Sequence, residues 1–355
     1  MNNLTVALAS LGGLVLAGVV AHGAWQARRA GPKRATVPRE EPGVAAAPAG
    51  SEPALDPGSD ADAAPEGDAG LTTTARRLSR RRPLQLDALI DAFATLSLEA
   101  PVTGDGIAPH WPSKRHVGSK LVLIEGLEAE SGRWETPVAG HRYNELQAGV
   151  QLASRTGPLN EIEYSEFVQR VQVLAEAVGA AADFPDMLDV MARARELDAF
   201  ASPHDAQLAV HLHARGAAWS VGYIQQHARR HGFVPGVVPG RLVYPSTEEG
   251  APPVLTLTFD SQAALADEPD SAAVRDVTLA FDVPQTDPVA EPFKAWQAAA
   301  QALAVGMDAA IVDDDERPLS SDGFAAIGAE LGKLYAALAA RDLAAGSASA
   351  RRLFS

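Results

Sequence analysis

The spacing of hydrophobic and polar residues divides the chain into an apolar start, a polar middle and a patterned remainder. The stretch from Leu4 to Trp25 contains no Asp, Glu, Lys or Arg, and an apolar helix of roughly 20 residues is long enough to cross a bilayer core. From Gly31 to Arg82 large apolar residues are almost absent, so this stretch cannot bury enough surface to fold. Residues 1–27 are therefore predicted to be a transmembrane anchor, and residues 28–83 a disordered, charged, Pro- and Ala-rich linker.

The charges on either side of the apolar stretch predict its orientation. The three residues before Leu4 carry no charge, whereas five basic residues lie between Arg28 and Arg39. Because positively charged flanks favour the cytoplasmic side, we expect the N-terminus outside and the remainder of the chain in the cytoplasm. A cleaved signal peptide is the alternative, but it would need a basic segment before the apolar stretch.

Apolar and polar residues alternate at several places in the second half of the patterned region. Between Ala206 and His213, Leu208, Val210 and Leu212 share one face of a predicted strand, and the residues between them share the other. Apolar residues spaced by three and four predict helices with one face against the core. The predicted strands are Ala206–His213, Arg241–Tyr244, Val254–Phe259 and Val274–Val283, and the predicted helices are 220–232, 291–307 and 321 onward.

The first half of the patterned region repeats this order of elements. Leu121–Gly126 is a predicted strand, and Gly149–Ser154 precedes a predicted helix with Phe167 on its apolar face. The stretch that starts at Gly149 matches the one that starts at Asp276, at a spacing of roughly 127 residues, as in tandem repeats. This match predicts a first copy at 84–202, a second copy at 203–345 and a flexible tail at 346–355.

The order of the elements predicts the fold class. Strands and helices in this succession are typical of an α+β fold, in which helices cover one face of a largely antiparallel sheet. The other face of the sheet is then open to solvent or to a partner.

Composition excludes several classes of function. The formal net charge of −15 and the sequence pI near 5.0 disfavour non-specific nucleic-acid binding, which needs a basic surface. The chain has no cysteine, which excludes disulfides, thiolate metal sites and cysteine nucleophiles and fits a reducing cytoplasm. Five arginines between Arg76 and Arg82 either bind anionic lipid or are simply solvated.

Residues with catalytic or metal-binding potential are few. His211 and His213 share a face of a predicted strand, but no third ligand has a matching spacing. The acidic run Asp313–Glu316 lacks the alternation of a calcium-binding loop, and Pro235–Gly240 lacks the ending of a phosphate-binding loop. No nucleophile motif or triad is evident in the sequence. We therefore expect a binding protein rather than an enzyme, with no cofactor and no metal ion.

Four consecutive blocks of the second half resemble the FtsZ-binding domain of ZipA, which tethers the tubulin-like FtsZ to the membrane in bacterial cell division. The blocks are GFVPG, PPVLTLTFD, DVTLAFDVP and AAIVDDDERPLSSDGF. The resemblance covers Ala206–Leu338, the anchor and the linker, while the first copy is similar only to the longer ZipA-like proteins of some proteobacteria. It implies a single-pass cell inner membrane protein with a periplasmic N-terminus, whose cytoplasmic domain binds the C-terminal tail of FtsZ during septum formation.

The resemblance also implies where the peptide would bind. In the ZipA family an exposed sheet face holds the FtsZ tail in a shallow, mostly apolar groove. Carried over by position, the groove of this chain is smaller and more polar. The implied residues are Ala209, His211, Thr256, Thr258, Thr278 and Ala280 on the sheet, with Val238 and Leu242 near its rim.

Other functions fit the same pattern. One is a membrane-anchored adaptor whose first copy binds a different division or envelope protein. Another is a membrane-anchored enzyme without a recognised motif, which a cleft containing a strongly perturbed titratable residue would support. The first copy is also open to a purely structural role, in which it packs against the second copy or covers a sheet edge.

Overall fold

The computed structural model describes residues 85–111, 115–266 and 273–355. These residues form a mixed α+β protein of antiparallel sheets and helices, which confirms the predicted fold class at that level. The predicted anchor and linker, residues 1–83, lie outside the described residues. No helix in the described part of the chain is long and apolar enough to cross a membrane.

The first half is built on a six-stranded antiparallel sheet. It contains strands β1 (Asp91–Thr103), β2 (His116–Val117), β3 (Lys120–Glu128), β4 (Trp134–Glu135), β5 (Arg142–Gln151), β6 (Ala153–Ser154), β7 (Gly157–Pro158) and β8 (Ala180–Asp183), and helices α1 (Gly104–Ile107), α2 (Glu161–Val178) and α3 (Met187–His204), with a 3-10 turn at Ala108–His110. The strand order is β2-β3-β5-β1-β8, β4 pairs with β3, and β6 and β7 form a separate hairpin. Alternation along β1 places Ala92, Ala94 and Leu96 in the core.

Helix α3 was not among the predicted elements. The Asp186 side chain caps it by accepting hydrogen bonds from the first-turn amides, and Val190, Ala194 and Leu197 are buried at helical spacing. Both signals are present in the sequence. They are weak because many polar and charged residues separate the apolar ones.

The second half carries a second six-stranded antiparallel sheet. It contains strands β9 (Gln207–Ala214), β10 (Val234–Pro235), β11 (Arg241–Tyr244), β12 (Leu255–Thr258), β13 (Asp276–Asp282) and β14 (Ala309–Val312), and helices α4 (Val221–Arg230), α5 (Ser261–Leu265), α6 (Pro292–Met307), α7 (Ser321–Ala339) and α8 (Ala348–Leu353), with a 3-10 turn at Pro288–Ala290. The strand order is β10-β11-β12-β13-β9-β14. The strands and helices predicted for this half are present, with ends shifted by at most two residues.

Trp296 organises the core of the second half. Its side chain is fully buried on α6, and its indole N–H donates to the carbonyl of Leu279 on β13 at 2.9 Å. The rings of Phe281 and Phe324 make edge contacts with it, an arrangement that aromatic pairs favour. This packing fixes α6 and α7 against one face of the sheet and leaves the other face without these helices.

The two sheets share one topology. In each half the first long strand, β1 or β9, pairs with the hairpin strand β5 or β13 on one side and with the last strand β8 or β14 on the other. The strand registers make Ala280 the residue of the second half that is equivalent to Gly149. The matched stretches of sequence predicted Asp276 for this position, four residues earlier. Strand register and helix position also identify equivalent residues in the two halves. Thr95 is equivalent to His211, Gln147 to Thr278, Phe167 to Trp296 and Ala180 to Ala309.

The C-terminal segment is folded, so the expectation of a flexible tail at 346–355 is wrong. Helix α8 packs into the core of the first half, where Leu353 and Phe354 are 1% exposed. The Arg352 guanidinium forms two hydrogen bonds to the Asp91 carboxylate, at 2.5 and 2.9 Å, and a third to the carbonyl of Gln85. Because the last residues of the chain complete the first core, the two halves cannot be separated by a single cut near residue 203.

The chain covers part of its own first sheet on the side away from α2. Leu86 lies over Gly149, where a β-carbon would overlap it, and the Leu86 amide donates to the Glu125 carboxylate at 2.8 Å. The Gln151 amide nitrogen donates to the carbonyl of Arg352. The segment around Leu86 and helix α8 therefore share part of the second face of the first sheet.

Replacing Arg352 with Ala is predicted to destabilise the protein strongly. It would leave the Asp91 carboxylate buried without its partner, at a cost of about 3–5 kcal/mol in the free energy of unfolding. Urea denaturation followed by circular dichroism measures this change. Arg195→Ala is the matched control, because Arg195 pairs with Glu161 in a contact whose two side chains are 69% and 59% exposed, and such a pair contributes less than about 1 kcal/mol. Equal stability of the two variants would contradict the prediction.

Candidate functional site

The six sheet residues predicted as a binding groove lie together on one face of the second sheet. Thr256 is opposite Ala280, which is opposite Ala209 on the next strand. The neighbouring row runs from Thr258 through Thr278 to His211 in the same way. The intervening residues of these strands, Val210, Leu212, Leu257, Val277 and Leu279, point into the core on the opposite side.

Leu242 does not lie near the rim of this face, and that prediction is wrong. It is 3% exposed and lies opposite Leu257 in the core. The flanking Arg241 and Val243 lie opposite Thr258 and Thr256 and so share the face with them. The difference is a slip of one residue along a four-residue strand, which exchanges the two faces. We correct the rim to Arg241 and Val243.

Val238 lies between β10 and β11 and not within the sheet. Its side chain is 54% exposed, and that of Val237 is fully exposed. Both belong to the turn that leads into Arg241. Val238 is thus near one edge of the face, as predicted, on a turn that does not pair with the central strands.

An acidic turn borders the face at His211. The ring Nδ1 of His211 is 3.1 Å from the Thr278 hydroxyl, and Nε2 is 2.9 Å from the Asp314 carboxylate. The hydrogen bond that the His211 ring donates to the Asp314 carboxylate raises the pKa of His211 above its ordinary value, and burial opposes this shift. The run Asp313–Glu316 therefore connects β14 to α7 and also closes one end of the face.

A cleft of about 270 Å³ lies at the other end of the face. Thr256 and Arg241 line it from the sheet, Pro252 and Pro253 from a loop, and Arg155 from the first half. The Arg241 guanidinium donates to the Thr256 hydroxyl at 3.3 Å. The cleft is polar, and it extends the face toward the junction of the two halves.

Arg155 joins the two halves beside this cleft, and no sequence pattern indicated this role. Its guanidinium contacts the carboxylates of Asp205 and Asp282, each at 2.6 Å. Burial raises the pKa of Asp282, and the Arg155 charge opposes that shift. The contact spans 127 residues along the chain, so no local pattern could have shown it.

Lys120 is the buried titratable group that most resembles a catalytic base. Burial lowers its pKa, but its ammonium donates to the hydroxyls of Ser119, Ser154 and Thr156 and to the carbonyl of Gly157 at 2.7–3.1 Å. Neither of the two described cavities is lined by Lys120. These bonds hold the β6–β7 hairpin, which presents Arg155 to the second half, and they give Lys120 a structural role.

The histidines of the face do not form a metal centre. His213 contacts Asp276 at 3.3 Å, and its ring is 6.2 Å from that of His211. Among the described residues no group of three or more His, Cys, Asp or Glu side chains is placed to hold a metal ion. The face offers hydroxyls, small side chains, the His211 ring and the Arg241 guanidinium.

The chain matches no protein-family model and no curated protein.

The contact between His211 and Asp314 predicts a pH dependence. Because the pKa of His211 is raised in the folded state, its stabilising contribution is complete below about pH 6.5, the unfolded value, and is lost as the pH rises through the folded value. NMR titration of the His211 ring is expected to give a pKa above that of a free histidine, and Asp314→Asn should lower it. Asp315→Asn is the control, since Asp315 pairs with Arg317. A His211 pKa that Asp314→Asn leaves unchanged would refute the assignment.

Proposed function

We propose that this protein tethers FtsZ filaments to the inner membrane during septum formation, by binding the C-terminal tail of FtsZ on the open face of its second sheet. The proposed architecture is two copies of a ZipA-like α+β domain behind a transmembrane helix and a linker. The shared topology of the two sheets and the four ZipA-like blocks of the second half support it.

One observation carries the proposal: the second sheet leaves uncovered a part of its face that the first sheet covers at the corresponding positions. In the first half Leu86 and helix α8 occupy this part, and Glu125 and Gln151 are 3% exposed there. In the second half the counterpart face exposes Thr258 and Arg241, leaves Thr256 and Thr278 half-buried and has Ala280, which is 8% exposed, at its centre. An uncovered face of a sheet, lined by small residues and ending in a cleft, suits a short extended peptide.

The predicted anchor and linker supply the second part of the proposed function. A flexible linker of about 50 residues has an r.m.s. span of about 40 Å, so the binding face would search a layer beneath the membrane. A short peptide on a shallow face typically binds with about micromolar affinity. Many such contacts between one filament and one membrane raise the effective concentration and hold the filament.

Titration of a labelled FtsZ tail peptide from the same organism tests the proposal. Saturable binding at about micromolar Kd is expected, and Thr258→Asp should weaken it at least about tenfold, because it places a charge on the exposed face without disturbing the core. Ala280→Asp should act in the same direction.

Thr95→Asp is the matched control, because Thr95 is exposed on the first sheet at the position that corresponds to His211. It should leave the Kd unchanged. Absence of saturable binding up to about millimolar peptide would overturn the proposal. Binding that survives Thr258→Asp and Ala280→Asp would place the peptide elsewhere.

A further inference from the structure

The first sheet already holds a segment of its own chain on the side that corresponds to the proposed groove, where residues 85–87 have no regular secondary structure and lead into a turn at 88–90. Leu86 is seated over Gly149, and the space it fills is available only because Gly149 has no side chain. The main-chain N–H of Leu86 is fixed by the Glu125 carboxylate at 2.8 Å, and the second Glu125 oxygen accepts from Gln147. The first half thus shows how this topology binds a segment of chain.

The registers of the two sheets identify the residue of the second half that is equivalent to Gly149, the residue on which Leu86 is seated. In the first half Gly149 lies between Leu123 and Phe93. In the second half its counterpart Ala280 lies between Thr256 and Ala209. The position of Glu125, one row along, corresponds to Thr258, whose hydroxyl is exposed.

We propose that the second sheet holds its ligand in the pose of Leu86. The ligand is an extended peptide with one aliphatic side chain of leucine size seated on Ala280, and its main-chain N–H is directed at the Thr258 hydroxyl. This inference rests on the proposed function and specifies the part of the FtsZ tail that the face recognises. The Ala280 methyl occupies the space that Leu86 fills in the first half, so it limits the depth of the seat and determines specificity.

The inference predicts a gain of affinity from the removal of a methyl group. Ala280→Gly reproduces Gly149 and deepens the seat, so the Kd for the FtsZ tail peptide should fall by at least threefold. Ala280→Val fills the seat, and the Kd should rise at least tenfold. Fluorescence anisotropy with the full-length chain in mild detergent measures both changes.

Ala209→Gly is the matched control. Ala209→Gly removes the same methyl group from the neighbouring strand, directly opposite Ala280 on the same face, but Ala209 corresponds to Phe93 and not to Gly149. Because Ala209 belongs to the proposed groove and not to the seat, this variant should give no gain in affinity, and its Kd should not fall below that of the unaltered chain. Alanine replacement of each aliphatic residue of the peptide should identify one position whose loss cancels the gain from Ala280→Gly.

The outcomes separate the two proposals. A peptide that binds the unaltered chain but gains nothing from Ala280→Gly, or gains equally from Ala209→Gly, overturns the inferred pose and leaves the proposed function standing. If the FtsZ peptide binds neither the unaltered chain nor Ala280→Gly, the proposed function fails. In that case a synthetic peptide of residues 85–91 is the second probe, and saturable binding of it to Ala280→Gly but not to Ala209→Gly supports the pose alone.

Discussion

The buried ion pair between Arg352 and Asp91 connects helix α8 to residues 85–91. The Arg352 guanidinium also donates to the carbonyl of Gln85, and the hydroxyl of the nearby Ser349 donates to the Asp87 carboxylate. A charged pair with 7% and 0% side-chain exposure persists only when its geometry is complete, because either charge alone would be costly in the interior. The pair holds residues 85–91 and helix α8 in place together, and these two segments cover the second face of the first sheet.

The partial covering of one sheet and not the other gives two similar halves different properties. The strands β3-β5-β1-β8 of the first sheet correspond to β12-β13-β9-β14 of the second, and in both halves an aromatic residue on the long helix, Phe167 or Trp296, is fully buried. In the first half, residues 85–91 and helix α8 cover part of the second face. The second half leaves the corresponding part open, bordered by the acidic turn at His211 and the cleft at Arg241. This open part is the surface that we propose for peptide binding.

The contacts between the halves place the candidate face on a rigid base. Lys120 holds the β6–β7 hairpin, the hairpin carries Arg155, and Arg155 bonds to Asp205 and Asp282 at the edge of the cleft. A binding face that is supported from beneath loses less conformational freedom when a peptide binds, which favours affinity. The first half thus contributes to the site through this hairpin even though its own second face is occupied.

Local patterns in the sequence determined the fold class, most of the longer strands and helices, and the face to which each residue of β9, β12 and β13 belongs. Alternation and helical spacing depend on neighbours two to four residues away, so they can be read along the chain. Tertiary structure decided the register of β11, because a four-residue strand between turns carries too little alternation to distinguish Leu242 from Arg241. It also decided the contacts of Leu86, Arg155 and Arg352. Their partners are 39 to 267 residues away in sequence, and pairing over such distances follows from the packing of whole elements and leaves no local signal.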